Sequence, residues 1–369
     1  MSDFDFNDDD FNLDGEEDFS PIFEEWDSAR KAGLPPGYFD SDELCEIIDT
    51  YLSLDQVTES RDAIAHAIKL HPKHEDMVLD IMQMLGDYEL WNDLLDITGR
   101  YKHLQQVWND GHRLTALLHL SMEDEAFFLF REAKKKYAPN KSDLAIIYQA
   151  MAEALYDVDL YEAAIEVIEE ILQKHKDIEN EDLLWIQLQS YLAMKDIESV
   201  QLLCEEIQKS NPMDADTWSR LGLIYKEIKE KEKSIDAFEF AASLGKKEPI
   251  DVLNLIYSYK ENENFIKALE KADEYLEKFP NDYIINTLAA TLCLEIENWE
   301  KALKYADNAL AVDARSDFLY LYKSQCFANM GNIKSAIDTL ELGIKENGDV
   351  TGELLRELSR LKDESPNCA

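Results

Sequence analysis

The side chains best able to do chemistry here are seven histidines, five cysteines and a large excess of carboxylates, 78 Asp and Glu against 37 Lys and Arg. His66, His71 and His74 come nearest to a metal-binding set, because imidazoles a turn apart can share a cation. Pro72 interrupts any helix between the last two, so they read as turn histidines rather than ligands. His112 and His119 lie seven residues apart on one helical face, where packing or surface roles account for them. Cys45, Cys204, Cys293, Cys326 and Cys368 are scattered, odd in number and free of any Cys-x-x-Cys pair, which argues for small buried apolar side chains and against zinc or a redox dithiol. Cys368 is one residue from the end and makes no prenylation box. Paired carboxylates across a cleft hydrolyse glycosides, but the acids here interleave with lysine, as in 227–233, and read as solvated helix faces. The phosphate-loop, zinc-protease, serine-hydrolase and dinucleotide signatures are absent, and 12 glycines leave little material for phosphate-cradling loops. The reading is of a chain that is not an enzyme and uses no metal or cofactor.

Side chains that do no chemistry must be positioned for something else, and the composition narrows what that is. The net charge is −41, with 46% hydrophobic and 31% charged residues. There is enough apolar material for a core, while the charge repels phosphate backbones, so nucleic acid and anionic membrane are not expected partners. No run of about 18 apolar residues is present, and the first residues carry acid where a signal peptide carries Lys or Arg. These features point to a cytoplasmic protein, with a bacterial source favoured.

The elements follow from a repeat. Ala268, Ala302 and Ala336 recur every 34 residues in similar contexts, and stepping back by the same interval reaches Ser234 and Val200, again small or β-branched. Each period holds two apolar stripes at helical spacing, separated by a polar break such as 330–332 or 297–298, so each unit is a helical hairpin. Helices of roughly 12 to 15 residues are marginal alone, and each hairpin must bury its faces against the next.

The unit 215–248 carries Trp218, Leu221, Gly222 and Tyr225 in its first helix, then Phe238 and Ala241 in its second. With the 34-residue period and the closing prolines Pro212 and Pro280, this resembles the tetratricopeptide-repeat (TPR) family. The resemblance implies an all-α fold, a right-handed superhelix of eight to nine hairpins. Well-matched repeats span 181–350, in units starting at 181, 215, 249, 283 and 317. Degenerate ones span 41–180, with starts at 41, 75, 107 and 145, of which 75–106 is the least regular. Leu354, Leu355, Leu358 and Leu361 then form one apolar face of a capping helix within 351–369. Residues 1–40 read as an acidic, aromatic tail, disordered when free at least to about residue 20.

In proteins of this family the first helix of each repeat lines the concave face, with its second, fifth, ninth and twelfth positions inward. The resemblance therefore implies a protein-binding surface of Ile250, Leu253, Tyr257 and Lys260, then Ile284, Thr287, Thr291 and Leu294, then Phe318, Leu321 and Gln325. Two outcomes are open: this run forms a groove for a peptide or helix of a partner protein, or tight curvature buries it. The carboxylate clamp of some family members is not matched, because the ninth positions Leu223, Tyr257, Thr291 and Gln325 include no asparagine. An alternative reading makes the acidic tail the active element, as an anion mimic or a trap for a basic partner. Self-docking of the tail is limited by reach. About thirty flexible residues span roughly 30 Å, against about 60 Å for six layers of roughly 10 Å, which directs the tail to the N-terminal repeats or to another molecule.

Overall fold

A computed structural model describes residues 19–102, 106–175, 181–246, 248–347 and 352–364; the stretch 1–18 of the expected tail and Cys368 lie outside the described residues. Among the described residues there are twenty helices and no strand. The chain divides into two compact units, residues 1–200 and 201–369.

Helical hairpins build both units. In the first, α2 (Ser41–Ser53) pairs with α3 (Val57–Leu70), α4 (Glu75–Asp87) with α5 (Trp91–Arg100), α6 (Gln106–His119) with α7 (Glu123–Tyr137), and α8 (Lys141–Asp157) with α9 (Tyr161–Lys174). Next come α10 (Glu181–Ala193) and α11 (Ile197–Ser210), within which the second unit begins. The second unit continues with α12 (Ala215–Glu227) and α13 (Lys231–Ser243), α14 (Pro249–Glu261) and α15 (Phe265–Leu276), α16 (Tyr283–Glu295) and α17 (Trp299–Val312), and α18 (Asp317–Asn329) and α19 (Ile333–Asn347). Among the described residues eight hairpins lie within the two units, with α10 and α11 at the boundary, and the degenerate 75–106 stretch forms the second hairpin, α4 with α5.

One device closes the first helix of every hairpin. Asp55, Glu89, Ser121, Asp159, Lys195, Lys229, Glu263, Glu297 and Gly331 all have positive φ, between 55° and 78°. The following residue donates its N–H to a carbonyl five residues back, as in Glu230 to Tyr225, Asn298 to Cys293 and Asn332 to Phe327, each 2.8 Å. This is the Schellman closure, which satisfies carbonyls that the helix leaves orphaned. From Lys195 to Gly331 these residues recur every 34 positions, and the irregular spacings all fall earlier. Eight of the nine are not glycine, although the left-handed region disfavours any side chain with a Cβ. Glu297→Gly is accordingly expected to stabilise the chain by up to about 1 kcal/mol, the relief of strain exceeding the added freedom of the unfolded chain. A rise in the urea midpoint at unchanged slope is the measurement that checks it.

The periodic small residues explain how closely the helices approach. Ala268, Ala302 and Ala336 are fully buried, as are Val200 and Ser234. The departure at Ser234 is accommodated because its hydroxyl donates to the Gly222 carbonyl at 2.9 Å and meets the Ser258 hydroxyl at 3.2 Å. Gly222 is required by packing: a Cβ there meets the Phe238 ring at 2.7 Å.

Both ends are closed by an extra helix. At the C-terminal end, α20 (Glu353–Glu364) buries Leu354, Leu358 and Leu361 against Tyr320, Ile337 and Leu340. Leu355, expected on that face, is exposed, because it sits about 100° around the helix from Leu354 and outside the i, i+4, i+7 stripe. At the other end, residues 21–31, grouped with the tail by composition, form α1 (Pro21–Lys31). Ser20 caps it by accepting from the Phe23 N–H at 3.2 Å, and Pro21 occupies the first position. Phe23 packs edge-on to Tyr51, Trp26 packs edge-on to Phe39 and His66, and the Tyr51 hydroxyl donates to Asp27 at 3.0 Å.

All seven histidines belong to the first unit. Burial lowers the pKa of His66, and Lys69 and His71 add to the effect. It also lowers that of His112 against the opposing pull of Asp87, and that of His119 against Asp157 and Glu89. His119 stacks on Trp91 at a centroid distance of 3.8 Å. A depressed imidazole contributes stability above its unfolded pKa of about 6.5, and that stability is lost as the pH falls through this value towards the folded pKa. The first unit is therefore expected to loosen below about pH 6.5, while the second has no histidine to protonate. Hydrogen exchange at pH 7.5 and 5.5, corrected for intrinsic rates, should accelerate in α3 and α6 and hold steady in α14 and α16. His112→Gln should remove part of the acceleration.

Candidate functional site

In the second unit α12 neighbours α14 and α16 neighbours α18, so the first helices of the hairpins share one face. Their other sides are held by the core. Leu255, Ile256, Tyr259, Leu288, Ala289, Leu292 and Cys293 are buried in one cluster with Ala268, Ala272, Ala302 and Ala306. The hydroxyls of Tyr259 and Tyr305 reach out of that cluster to Glu239 and Asp273. Asp282 caps α16 by accepting from the Ile285 N–H at 2.8 Å, and Asp214 caps α12 through Thr217 at 2.7 Å.

None of the eleven residues expected on the inward face is buried. Ile250 is 59% exposed, Ile284 54%, Phe318 41% and Tyr257 37%, and Leu223 of the preceding repeat adds 44%. Gln325 is also exposed, and Leu253, Lys260, Thr287, Thr291, Leu294 and Leu321 are half-buried. Leu253 and Leu294 rest on the core cluster below, which fixes them as a floor. The Thr291 hydroxyl is turned back to donate to the Thr287 carbonyl at 3.0 Å. Within this unit five of the eleven residues are exposed and six half-buried.

The polar part of the face is concentrated at one edge. The Lys226 ammonium lies 5.5 Å from the Tyr257 ring centroid and 3.4 Å from Glu261, linking α12 to α14. Lys231 donates to the Glu261 carbonyl at 2.5 Å. Lys226, Lys229, Lys231, Ser234, Ser258 and Glu261 line a small cavity there. Lys260 makes no ion pair among the described residues. At the other end of α14, in its first turn, Asp251 accepts from the Ser219 hydroxyl at 2.6 Å.

The first helices of the first unit are far more acidic than those of the second. In the first unit α2, α4, α6, α8 and α10 hold 14 acids and two Lys or Arg, whereas α12, α14, α16 and α18 hold six and four. Arg30, Arg61, Lys134 and Lys174 are engaged elsewhere, with Glu59, Asp93 and Glu170. Burial would raise the Glu170 carboxyl, but hydrogen bonds from Lys134 and Lys174 outweigh it and hold the pKa down at about 2. On α8, burial pushes Glu153 up; the Gln149 side chain counters this, and Asp157 and Asp182 reinforce it.

The histidines weighed as ligands have other duties. His71 Nε2 meets the Phe39 carbonyl at 3.0 Å, and His74 Nδ1 accepts the Met77 N–H at 3.2 Å as the cap of α4. Among the described residues no three His, Cys, Asp or Glu side chains form a metal-binding group, and no helix is long and apolar enough to cross a membrane.

Solved structures with a similar architecture are known, and one of them places the fold in a known class. The chain is similar to the C-terminal part of a TPR repeat-containing protein from Cytophaga hutchinsonii, with a TM-score of 0.51 and 16% identity over 67% of this chain and 99% of that one. It is also similar to a tetratricopeptide repeat protein from Parabacteroides merdae, at TM-score 0.40 and 14% identity over 74% and 99% of the two chains. A third is YrrB, described as a TPR protein with an unusual peptide-binding site, at TM-score 0.35 and 16% identity over 62% and 97%. No family model and no curated protein matches the chain. The class defined by fold and repeat is the helical-hairpin solenoid. More particularly, the chain has the tetratricopeptide-repeat fold.

Proposed function

We propose that this protein is a non-catalytic interaction scaffold whose second unit holds a peptide or helix of a partner protein along the face of α12, α14, α16 and α18. The observation that carries this reading is the set of uncovered apolar side chains, Leu223, Ile250, Tyr257, Ile284 and Phe318, on elements whose opposite sides are packed in the core. Contiguous apolar surface exposed to water is costly, and burying it against a partner is favourable. Half-buried Leu253, Leu294 and Leu321 give the groove a rigid floor, so binding requires little ordering of the receptor. A chain of this charge, lined in its first unit by carboxylates, is not a binder of nucleic acid.

Random-sequence peptides displayed on phage and selected on the full chain test the proposal. Tyr257→Asp combined with Leu294→Asp is expected to lower capture of the selected peptides at least 100-fold, since each places an unpaired charge in the contact. The double variant should keep its helical circular dichroism. Peptides that bind it as well as the parent would overturn the groove assignment.

A further inference from the structure

The face of the second unit combines exposed aliphatic and aromatic side chains with lysines, in a protein whose surface is otherwise strongly acidic. Lys226 and Lys260 are on the face itself, beside Tyr257, and Lys229 and Lys231 line the cavity at its rim. A ligand that matches this pattern carries aromatic or aliphatic residues alternating with carboxylates. Residues 1–18 have that composition: nine Asp and Glu, no Lys or Arg, and Phe4, Phe6, Phe11 and Leu13 among them. The stretch is rooted on the first unit, where Phe19 packs against Phe23 at 5.1 Å and α1 is locked onto Tyr51 and Phe39. The first helices nearest that root are the acidic ones, which repel it.

From these observations we infer that the groove of the second unit is occupied, in the absence of another ligand, by residues 3–18 of a second copy of this chain. This rests on the groove reading above and names its occupant. The phenyl rings cover Leu223, Tyr257, Ile250 and Ile284, and the flanking carboxylates pair with Lys226, Lys260 and the rim lysines. Within one chain the segment is anchored at Phe19 and reaches only about 25 Å as a flexible chain, whereas a neighbouring copy can bring its own segment to the groove from any direction. Long-range repulsion between two acidic chains does not prevent this, because at physiological salt charges beyond about 8 Å are largely screened and the close lysine pairs decide. The contact is head to tail, with one copy giving its segment and receiving another's, so it adds copies progressively rather than closing a symmetric pair. A partner protein must displace the segment, which keeps the apolar groove covered until it does.

The test uses the full chain with Phe6 replaced by the photo-crosslinker p-benzoylphenylalanine, in an equal mixture of isotope-labelled and unlabelled protein. Expected are mixed-isotope crosslinks to peptides within 215–295, and a weight-average mass in sedimentation that rises with concentration. Lys226→Glu with Lys260→Glu should reduce crosslink yield about fivefold or more, as should high salt. Crosslinks confined to one isotope, crosslinks to the first unit, or a mass independent of concentration would each overturn the inference. If that happens while phage-selected peptides still depend on Tyr257 and Leu294, the groove reading stands without this occupant. If those peptides ignore both substitutions, the groove reading itself has failed.

Discussion

Trp26→Ala is expected to destabilise the N-terminal end of the array by about 3–5 kcal/mol, the usual consequence of emptying a buried aromatic site. Trp26 is 3% exposed and packs against Phe39 and His66, so its removal opens a cavity where α1 covers the outer side of the first hairpin. The loss should be local. Repeat arrays are nearly one-dimensional, and each hairpin is stabilised chiefly by its neighbours. Hydrogen exchange should therefore rise steeply in α1, α2 and α3 and remain close to native in α16 to α19. Uniform acceleration along the chain would refute this account.

Gly222→Val is expected to cost 3 kcal/mol or more, at or beyond the upper end of what overpacking usually costs. The Phe238 ring is within 2.8 Å of where a Cβ would sit, and it is wedged between neighbouring hairpins with Ile235, Leu255 and Tyr259. Neither side can withdraw, so α12 and α13 must separate. Adding Phe238→Leu to Gly222→Val should recover part of the loss, since the smaller side chain frees the contested volume. Thermal unfolding of the parent, both single variants and the double variant measures the coupling directly.

These predictions draw on features that differ in how plainly the sequence displays them. The hairpin period was legible because Ala268, Ala302 and Ala336 stand at the tightest helix crossings, where only small side chains fit and all three are fully buried. Positions 2, 5, 9 and 12 of each first helix come from the family resemblance; 3.6 residues per turn puts them on one side of a helix, and none of the eleven residues expected there is buried. The hairpin of α4 and α5 was obscured because its closure at Glu89 lies only 32 residues before the next at Ser121, so the strict period fails there. Helix α1 was hidden by composition, as only Phe23 and Trp26 of its eleven residues are buried. The partition of charge between the two units was present in the sequence throughout, since α2, α4 and α10 contain no Lys or Arg. A single net charge averages that contrast away, and it emerges only when first helices are separated from second helices.

The second unit also carries its own reporters of motion. Cys204, Cys293 and Cys326 are fully buried thiols, one in each of three different hairpins, and burial raises their pKa to about 11, 12 and 11. A thiol so enclosed and so protonated reacts with an alkylating reagent only when its hairpin opens. Mass-resolved alkylation of the unmodified protein therefore times separately the opening at α11, at α16 and at α18. A ligand seated across α12 to α18 should slow the Cys293 and Cys326 clocks together, whereas one that grips a single repeat should slow only its own.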